Sequence, residues 1–587
     1  MIKNWVEEAV AELQKAGVLN TDVVVPDVVI EAAKDSSHGD YATNFALMAA
    51  KSAKTNPRAL AEKLIENLKK HPEITKIEIA GPGFINFFLS PSIYHQVVAD
   101  IHKYKQEYGK SEIGQKQRVH LEFVSSNPTG PLHVGHGRHG AYGSCVANLL
   151  DHVGYQVHRE YYINDAGRQV QILTLSTWLR YIEILAANQK LAFPSKCYQG
   201  EYVKDIAQDL KQKYNQQLGT QELIDSFKAK VNTIEVSDND ETGDAYVDLC
   251  IEHLKAAIGE DNFLKCQDFA CSSIISDMKD DLAEFGVVFD EWYSERKMVE
   301  SGAVPKAIEY LDKKNYLYKK DGAIWFKTSE FGDEKDRVLV RSNGQNTYYA
   351  PDIAYHLSKL DRGNDVVIDI LGSDHHGYIP RLRACLRAFD KPDEKFITKL
   401  VQFVDLYRGT TKVPMSTRTG SFVTLRELRN EVGNDATRFF YVARKVDQLM
   451  DFDIELAKSQ SNDNPVYYIQ YAHARICSIT RQLAEKGYTL DLTNKLDVLN
   501  QPAEIDLLKH LGNYIDMIQT AALAYEPHRV VQYLKDLAHL FHKYYNAHPV
   551  IVEDAEIRNA RVCLILAVKQ IITNALTLLG ISSPEKM

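Results

Sequence analysis

The spacing of apolar positions along the chain changes twice, and these changes divide the sequence into three stretches. In the first, residues 1–110, helical spacing at Val6, Val10 and Leu13 is followed by two short apolar runs on either side of the turn at 81–83. Helical spacing followed by paired short runs around a Gly-Pro-Gly turn is typical of a small mixed domain. The pattern therefore predicts an α+β domain over this stretch.

The second stretch, residues 111–460, alternates short β-like runs with helical patterns, which is typical of a parallel α/β sheet. Its predicted strands cover residues 118–124, 155–162, 365–372 and 400–406. Between about 165 and 290 the chain is polar and helix-rich and contains the acidic run 237–244. We interpret this segment as an insertion between the two halves of the sheet.

The third stretch, residues 461–587, has an almost purely helical pattern. Apolar and aromatic residues recur every three or four positions, as at Tyr467, Tyr471 and Ile476. Most of these side chains are expected to form the core of an all-α domain. A minority could stack on the bases of single-stranded RNA.

Composition excludes some classes of protein and leaves others open. The chain of 587 residues has no uninterrupted apolar run long enough for a transmembrane helix, and its first residues lack the features of a signal peptide. The eight cysteines include no CxxC pair, which argues against structural zinc and favours reduced thiols in the cytoplasm. The net charge of −10 does not exclude an RNA partner, because a basic surface can be local.

The strongest chemical signal is the sequence His133-Val134-Gly135-His136, where a predicted strand passes through a loop into a helix. The start of a helix offers free backbone N–H groups and a positive dipole end to phosphate. Gly135 has no side chain, so a flat base could pack there. His133 and His136 can face one side and donate hydrogen bonds to the charge that develops on an attacked phosphate. The motif predicts a nucleotide site.

Two classes of enzyme use such a site, the class I aminoacyl-tRNA synthetases and small nucleotidylyltransferases. The synthetases also carry a KMSKS-like loop far downstream, and the candidate here is residues 412–425. Met415 and Ser416 match that loop, whereas Pro414 and Thr417 occupy the places of its two lysines. This segment alone does not decide between the classes.

Several further blocks, in one order, resemble bacterial arginyl-tRNA synthetases. They cover residues 36–51, 122–143, 159–167, 347–356, 367–378, 421–428, 433–441, 459–476 and 575–587. The resemblance spans nearly the whole chain and is weakest between about 170 and 290. It implies a multidomain α/β protein. A Rossmann-type class I catalytic domain over 111–460 follows an α+β N-terminal additional tRNA-binding domain and precedes an all-α anticodon-binding domain over 461–587.

The resemblance also implies an arginine pocket made of Glu122, Asn127, Tyr348, Asp352 and His375. A guanidinium group presents five donors in a fixed fork, so Asp352 and Glu122 are its expected partners. Tyr348 would supply a hydroxyl group or a ring face, and Asn127 would reach the backbone end of the substrate. On the sequence alone, Asp352 could equally be the N-cap of a helix.

The ATP site implied by the resemblance adds Gly372, Met415, Ser416 and Lys412 to the two histidines and Gly135, with Mg²⁺ bound to the phosphates of ATP. Because two loop lysines are missing, another cation has to meet the charge of the leaving pyrophosphate. We expect Arg418 to supply it as a catalytic residue, since its planar fork suits bidentate contact with phosphate. The other candidates, in order, are Lys412 and then Arg408 and Arg138.

Three other interpretations stay open. The triplet Asp374-His375-His376 is also found in metal-dependent phosphoesterases, but no companion ligand cluster accompanies it here. Another class I synthetase is disfavoured because zinc-ligand spacings are absent. A catalytically inactive, tRNA-binding paralogue is supported only by the degenerate KMSKS-like loop. The favoured interpretation predicts an arginine–tRNA ligase with ATP, L-arginine and tRNA(Arg) as partners, cytoplasmic and monomeric, with no membrane contact and no bound zinc.

Overall fold

A computed structural model of the chain describes residues 2–19, 26–33, 38–90, 92–186, 191, 193–231, 240–413, 422–489, 491 and 496–587. Its contacts divide the chain into two compact units. The first comprises Met1–Tyr108, Arg475–Tyr514 and His539–Ile571. The second comprises Gly109–Ala474, Ile515–Ala538 and Ile572–Met587.

The amino-terminal part of the first unit is an antiparallel sheet with helices, as the pattern of residues 1–110 predicts. Its strands are β1 (Glu31–Ala32), β2 (Tyr41–Thr43), β3 (Ile74–Ala80) and β4 (Phe84–Leu89), in the order β1-β2-β4-β3. Its helices are α1 (Ile2–Lys15), α2 (Phe45–Ala50), α3 (Pro57–Leu68) and α4 (Ser92–Tyr104). Helix α1 buries Val6, Val10 and Leu13, which share one face because they recur at helical spacing.

Later strands and helices follow in chain order. The strands are β5 (Arg118–Glu122), β6 (Gln156–Ile163), β7 (Glu291–Ser294), β8 (Leu317–Lys320), β9 (Ala323–Phe326), β10 (Arg337–Val340), β11 (Val366–Gly372), β12 (Phe396–Val401), β13 (Val404–Arg408), β14 (Thr411–Lys412) and β15 (Met450–Asp453). The helices up to residue 442 are α5 (Val134–His152), α6 (Arg168–Leu185), α7 (Glu201–Tyr214), α8 (Gln221–Val231), α9 (Asp240–Ile258), α10 (Glu260–Glu284), α11 (Glu295–Glu300), α12 (Ala303–Lys313), α13 (Tyr349–Asp361), α14 (Ile379–Ala388), α15 (Leu425–Val432) and α16 (Asn434–Val442). The remaining helices are α17 (Ile454–Lys458), α18 (Pro465–Glu485), α19 (Pro502–Gly512), α20 (Tyr514–Ala524), α21 (His528–Ala547) and α22 (Ala555–Leu578).

The second unit is organised around a five-stranded sheet in the order β12-β11-β5-β6-β7, with every neighbouring pair parallel. The first strand of this sheet along the chain is β5. Strands β6 and β7 follow on one side of it, and β11 and β12 lie on the other side. A ligand crevice is expected beyond the carboxyl ends of β5 and β11, where the strand order reverses. The predicted Rossmann-type core is confirmed.

One predicted strand is wrong. The run 400–406 is not continuous, because β12 ends at Val401 and β13 begins at Val404 in a separate sheet of order β14-β13-β15. The carbonyl of Gln402 accepts a hydrogen bond of 2.8 Å from Arg138, and Phe403 is exposed. The chain therefore passes from one sheet to the other at residues 402 and 403, where the buried guanidinium group of Arg138 donates to the backbone carbonyl of Gln402.

Helices α6 to α10, in the segment predicted as an insertion, pack around a core of their own. This core includes Trp178, Tyr181, Phe227 and Phe263.

Among the described helices, α22 alone is long and apolar enough to cross a membrane by length and composition, and 67% of its most apolar window is buried inside the fold. Such burial is expected of a core helix.

Candidate active site

The two motif histidines form the first turn of α5. His133 is the N-cap, and its Nδ1 accepts hydrogen bonds from the backbone N–H groups of Gly135 at 3.1 Å and His136 at 3.4 Å. In return, Nδ1 of His136 accepts from the backbone N–H of His133 at 3.3 Å. Each Nδ1 is thus an acceptor, so a neutral ring carries its proton on Nε2.

Both histidines are neutral in the folded protein. Burial lowers the pKa of His133, and burial together with the neighbouring His133 ring lowers the pKa of His136 well below its usual value. The two rings are stacked with centroids 3.6 Å apart, so two positive charges there would repel strongly. The pair therefore offers Nε2–H donors to a phosphate rather than positive charge.

A local contact favours glycine at position 135. A Cβ on Gly135 would meet Cε1 of His133 at 2.9 Å and Nδ1 at 3.0 Å. The capping imidazole therefore lies directly against the backbone there. The packing of a base against Gly135 stays a prediction.

The described carboxyl-terminal end of the KMSKS-like segment lies beside this helix start. The backbone N–H of Leu425 donates to the carbonyl of Leu132 at 2.8 Å, and the Phe422 ring packs edge-on to His133 with centroids 6.3 Å apart. Met415, Ser416 and Arg418 lie outside the described residues.

The other candidate cations already have partners. Arg138, one of the less favoured candidates, is completely buried and donates to the carbonyls of Gln402, Lys445 and Gln448, so its guanidinium group is already held by backbone acceptors. The exposed Lys412 forms an ion pair of 2.6 Å with Asp405.

Arg408, like Lys412, is paired at the surface. Its Nη1 lies 2.6 Å from Glu431 and 3.1 Å from Glu455, and these contacts raise the pKa of Arg408. Two carboxylates therefore hold this guanidinium group away from a phosphate role. The three candidates that the structure describes are thus all paired, whereas Arg418 lies outside the described residues and its role stays a prediction.

The end of β11 faces the start of α5. The carboxylate of Asp374 lies over Gly372 and leaves no room for a Cβ there. His375 is exposed, and its ring contributes to lowering the pKa of His139 on α5, after burial and the nearer His133 and Arg138. The turn after β11 and the first turn of α5 thus line one crevice, at the reversal of strand order.

A second cluster, the acidic pocket, is formed by Asp352, Glu295 and Glu122. Burial first, and then the charge of Glu122, raise the pKa of Asp352, which accepts a hydrogen bond from the hydroxyl of Tyr378. Burial first, and then Asp352, raise the pKa of Glu295 to about 7. Carboxylates that raise one another's pKa are poised to bind a cation. Because α13 begins at Tyr349, Asp352 is not a helix N-cap.

The other expected arginine ligands lie at different distances from the acidic pocket. With its amide oriented to satisfy its neighbours, Asn164 donates to Glu295 at 2.7 Å and lies 3.2 Å from the amide of Asn127. Tyr348 is 64% exposed, and its hydroxyl accepts a hydrogen bond of 2.9 Å from Arg381. Asn127 is therefore connected to the pocket, whereas Tyr348 lies at its rim.

Four residues at this site were missed from the sequence: Asn164, Tyr378, Glu295, and Tyr162, whose hydroxyl group hydrogen-bonds the carboxylate of Glu295. Tyr162 and Asn164 belong to the block 159–167, and Tyr378 ends the block 367–378, so their motifs were visible although their roles were not. Glu295 lies outside every recognised block. Its partnership with Asp352 is formed only by folding, because the two carboxylates are far apart in the chain.

The loop between Glu122 and Asn127 has a strained backbone. Val124 has φ +69° and Ser125 has φ +41°, a region that β-branched residues rarely adopt. The hydroxyl of Ser125 accepts a hydrogen bond of 3.1 Å from the backbone N–H of Tyr162. Strain of this kind is held in place by the surrounding structure and is common at functional sites.

Comparisons with known proteins agree with this geometry. The chain matches three family models: "Arginyl tRNA synthetase N terminal domain" over residues 1–89, "tRNA synthetases class I (R), catalytic domain" over 97–461, and "DALR anticodon binding domain" over 469–587.

Similar proteins match over their whole length. The chain is 52% identical over 589 residues to the arginine–tRNA ligase of Coxiella burnetii (strain RSA 493), covering 100% of this chain and 98% of that one. It is 47% identical to the arginine–tRNA ligase of Legionella pneumophila (strain Paris), covering 100% and 99%. The solved Thermus thermophilus arginyl-tRNA synthetase has the same fold, with a TM-score of 0.74 at 22% identity and 100% coverage of both chains. The chain therefore belongs to the arginyl-tRNA synthetases, the class I family that joins arginine to tRNA with ATP.

Proposed function

We propose that this chain activates L-arginine with ATP, transfers it to tRNA(Arg), and selects arginine through the acidic pocket. One observation carries the proposal. Asp352 and Glu295 are carboxylates with raised pKa, and among the described residues neither forms an ion pair. A guanidinium group would supply the missing cation and enough donors to satisfy both.

The substrate's two ends meet different groups. Asp352 and Glu295, with one oxygen of Glu122, receive the guanidinium fork, while Asn127 receives the backbone end. Tyr348 lies at the rim of the pocket, and His375 completes the predicted set of arginine ligands. Lysine would supply one ammonium group in place of a planar fork, and citrulline would supply no charge, so both would leave the pocket carboxylates poorly satisfied.

The reaction has two steps. The arginine carboxylate attacks the α-phosphate of ATP, which forms arginyl-adenylate and releases pyrophosphate. A terminal ribose hydroxyl of tRNA then attacks the arginyl carbonyl, and AMP leaves. His133 and His136 donate their Nε2–H groups to the oxygen on which charge develops in the first step, so the protein acts by positioning and electrostatic stabilisation. Activation requires bound tRNA, as in this subgroup of class I enzymes.

Mg²⁺ would accompany the phosphates of ATP, where it supplies neutralising charge. Among the described residues, the metal-ligating side chains that converge within 4.8 Å are His158, Glu160 and Glu291. That position is already held by the guanidinium of Arg362, whose Nη1 lies 2.5 Å from Glu160. The ion would therefore be bound through the substrate's phosphates rather than in a cage of protein carboxylates.

Two cations of the KMSKS-like segment could meet the charge of the pyrophosphate. We favour Arg418 over Lys412, because Lys412 is paired with Asp405. The rate of tRNA-dependent ATP–pyrophosphate exchange in the Arg418→Ala and Lys412→Ala variants distinguishes the two. We further propose that residues 1–110 and 461–587 bind tRNA, and that the enzyme is a cytoplasmic monomer without membrane contact.

Charging of purified tRNA with each labelled amino acid tests this function. We expect arginine to be attached and citrulline and lysine to be rejected by a factor of about 10⁴ or more, the range for a site that must pair buried polar groups. An inactive paralogue would bind tRNA and attach nothing. Another class I synthetase would attach a different amino acid, and either result would contradict the proposal.

A further inference from the structure

Four carboxylates form one row across the parallel sheet. The strand register places Asp369 beside Glu122, Glu122 beside Glu160, and Glu160 beside Glu291, on β11, β5, β6 and β7. Paired residues on neighbouring strands project from the same face, and like charges placed side by side destabilise a sheet. We call these residues the carboxylate row, and Glu122 belongs both to it and to the acidic pocket.

Helix α13 covers one half of the row with a buried lysine. Nζ of Lys359 lies 2.5 Å from Oε2 of Glu122 and 2.8 Å from Oδ1 of Asp369. Burial opposes the charge of Lys359, but the two carboxylates outweigh burial and raise its pKa. Lys359 is therefore an ammonium group that bridges two strands.

The other half of the row is covered by Arg362, which directly follows the last residue of α13. Arg362 donates to Glu160 at 2.5 Å and to Glu291 at 3.1 Å. The hydroxyl of Tyr355 lies between the halves, 3.0 Å from Glu122 and 2.6 Å from Glu160. Every neighbouring pair in the row thus shares a donor from α13 or its C-cap.

This arrangement limits what Glu122 can offer to a ligand. Its Oε2 is contacted by both Lys359 and Tyr355, so Oε1 is the oxygen left for the acidic pocket. The same helix also carries Asp352, seven residues before Lys359 and hence on the same helical face. One rigid element therefore carries one carboxylate of the pocket and fixes another.

We propose that Lys359 is a positioning residue for arginine selection: it holds Glu122 so that one carboxylate oxygen faces the substrate. The inference rests on the proposed role of Glu122 as a guanidinium ligand. Lys359 is completely buried and its ammonium group is committed to two carboxylates, so it acts through Glu122 and does not touch the substrate.

A mutant cycle in the full-length enzyme tests the proposal by tRNA charging. The first variant is Lys359→Met with Asp369→Asn, which removes one charge of each sign and so keeps the row balanced. We expect the arginine KM to rise by about tenfold or more, the effect of losing a charged hydrogen-bond partner, with kcat changed less than about threefold. Arg362→Met, which removes a cation of the row that does not contact Glu122, should leave the arginine KM nearly unchanged.

The decisive comparison is made in the Glu122→Gln background. If Lys359 acts through Glu122, adding Lys359→Met and Asp369→Asn should raise the arginine KM no further than Glu122→Gln alone. The proposal would be overturned if Glu122→Gln and the Lys359→Met, Asp369→Asn pair raised the arginine KM independently, so that their factors multiplied. An unchanged arginine KM in the first variant would also overturn it. If Glu122→Gln itself leaves the arginine KM unchanged, the guanidinium role of Glu122 fails, which is a separate result.

Discussion

Alanine at position 352 is expected to raise the arginine KM by about 10² to 10³, while the ATP KM changes little. Asp352 is a half-buried carboxylate of the acidic pocket, and the loss of one partner of a desolvated charge pair typically costs about 2–5 kcal/mol. The proposed ATP site at the start of α5 does not include that carboxylate. Steady-state charging kinetics measure both constants.

A surface carboxylate of the same helix provides the matched control. The exposed Asp361 also belongs to α13 and pairs with Lys391 at 2.6 Å. Asp361→Ala should leave the arginine KM within about twofold, because exposed ion pairs contribute little. An Asp352→Ala enzyme with a similarly small change would show that this carboxylate does not bind the guanidinium group.

Replacement of His136 by alanine is expected to lower the rate of adenylate formation by about 10²- to 10³-fold, the usual effect of removing one transition-state donor. ATP affinity should change much less, because the Nε2–H bond strengthens only as charge develops on the α-phosphate. Both histidines belong to the reciprocal cap of α5, but His133 is the N-cap and accepts from two backbone N–H groups, whereas His136 accepts from one. His136→Ala should therefore disturb the helix start less than His133→Ala. Single-turnover activation with tRNA present measures the rate.

His136→Gln supplies the corresponding control. The glutamine amide nitrogen lies at about the same distance along the side chain as the histidine Nε2, so this variant keeps an N–H donor near the same place and should recover part of the rate lost in His136→Ala. If His136→Ala activates arginine at the wild-type rate with an intact fold, the histidine has no part in the step.

The elements predicted correctly are those with a local cause. The start of α5 at Val134 and the strand ending at Glu122 follow from an apolar run and a capping motif that lie together in the chain. The single strand over 400–406 was wrong because the acceptor at Gln402 is taken by Arg138, a contact between distant segments. The pattern of apolar residues carries no information about that bond.

The same distinction, between causes that lie together in the chain and contacts between distant segments, explains which residues of the site could be predicted. Glu122 and Asp352 were predictable because they lie in recognisable blocks, whereas Glu295 depends on folding that brings β7 beside β6 and towards α13. Arg138 looked like a phosphate ligand because it follows the motif histidines, and only the fold shows that its guanidinium group is buried. The spacing of Tyr355, Lys359 and Arg362 is visible in the sequence, but the face that meets the sheet is not.

The central claim is that the acidic pocket binds the guanidinium group of arginine. The most direct measurement is calorimetry of arginine binding at pH 7 in two buffers with different ionisation enthalpies. Burial and Asp352 raise the pKa of Glu295 to about 7, so this carboxyl group is partly protonated there. A bound cation favours the ionised form and lowers this pKa, so the proton leaves when arginine binds. We therefore expect arginine binding to release protons, and we expect Glu295→Gln to abolish that release. Equal heats in both buffers, or release that Glu295→Gln leaves unchanged, would contradict binding of the guanidinium group in the acidic pocket.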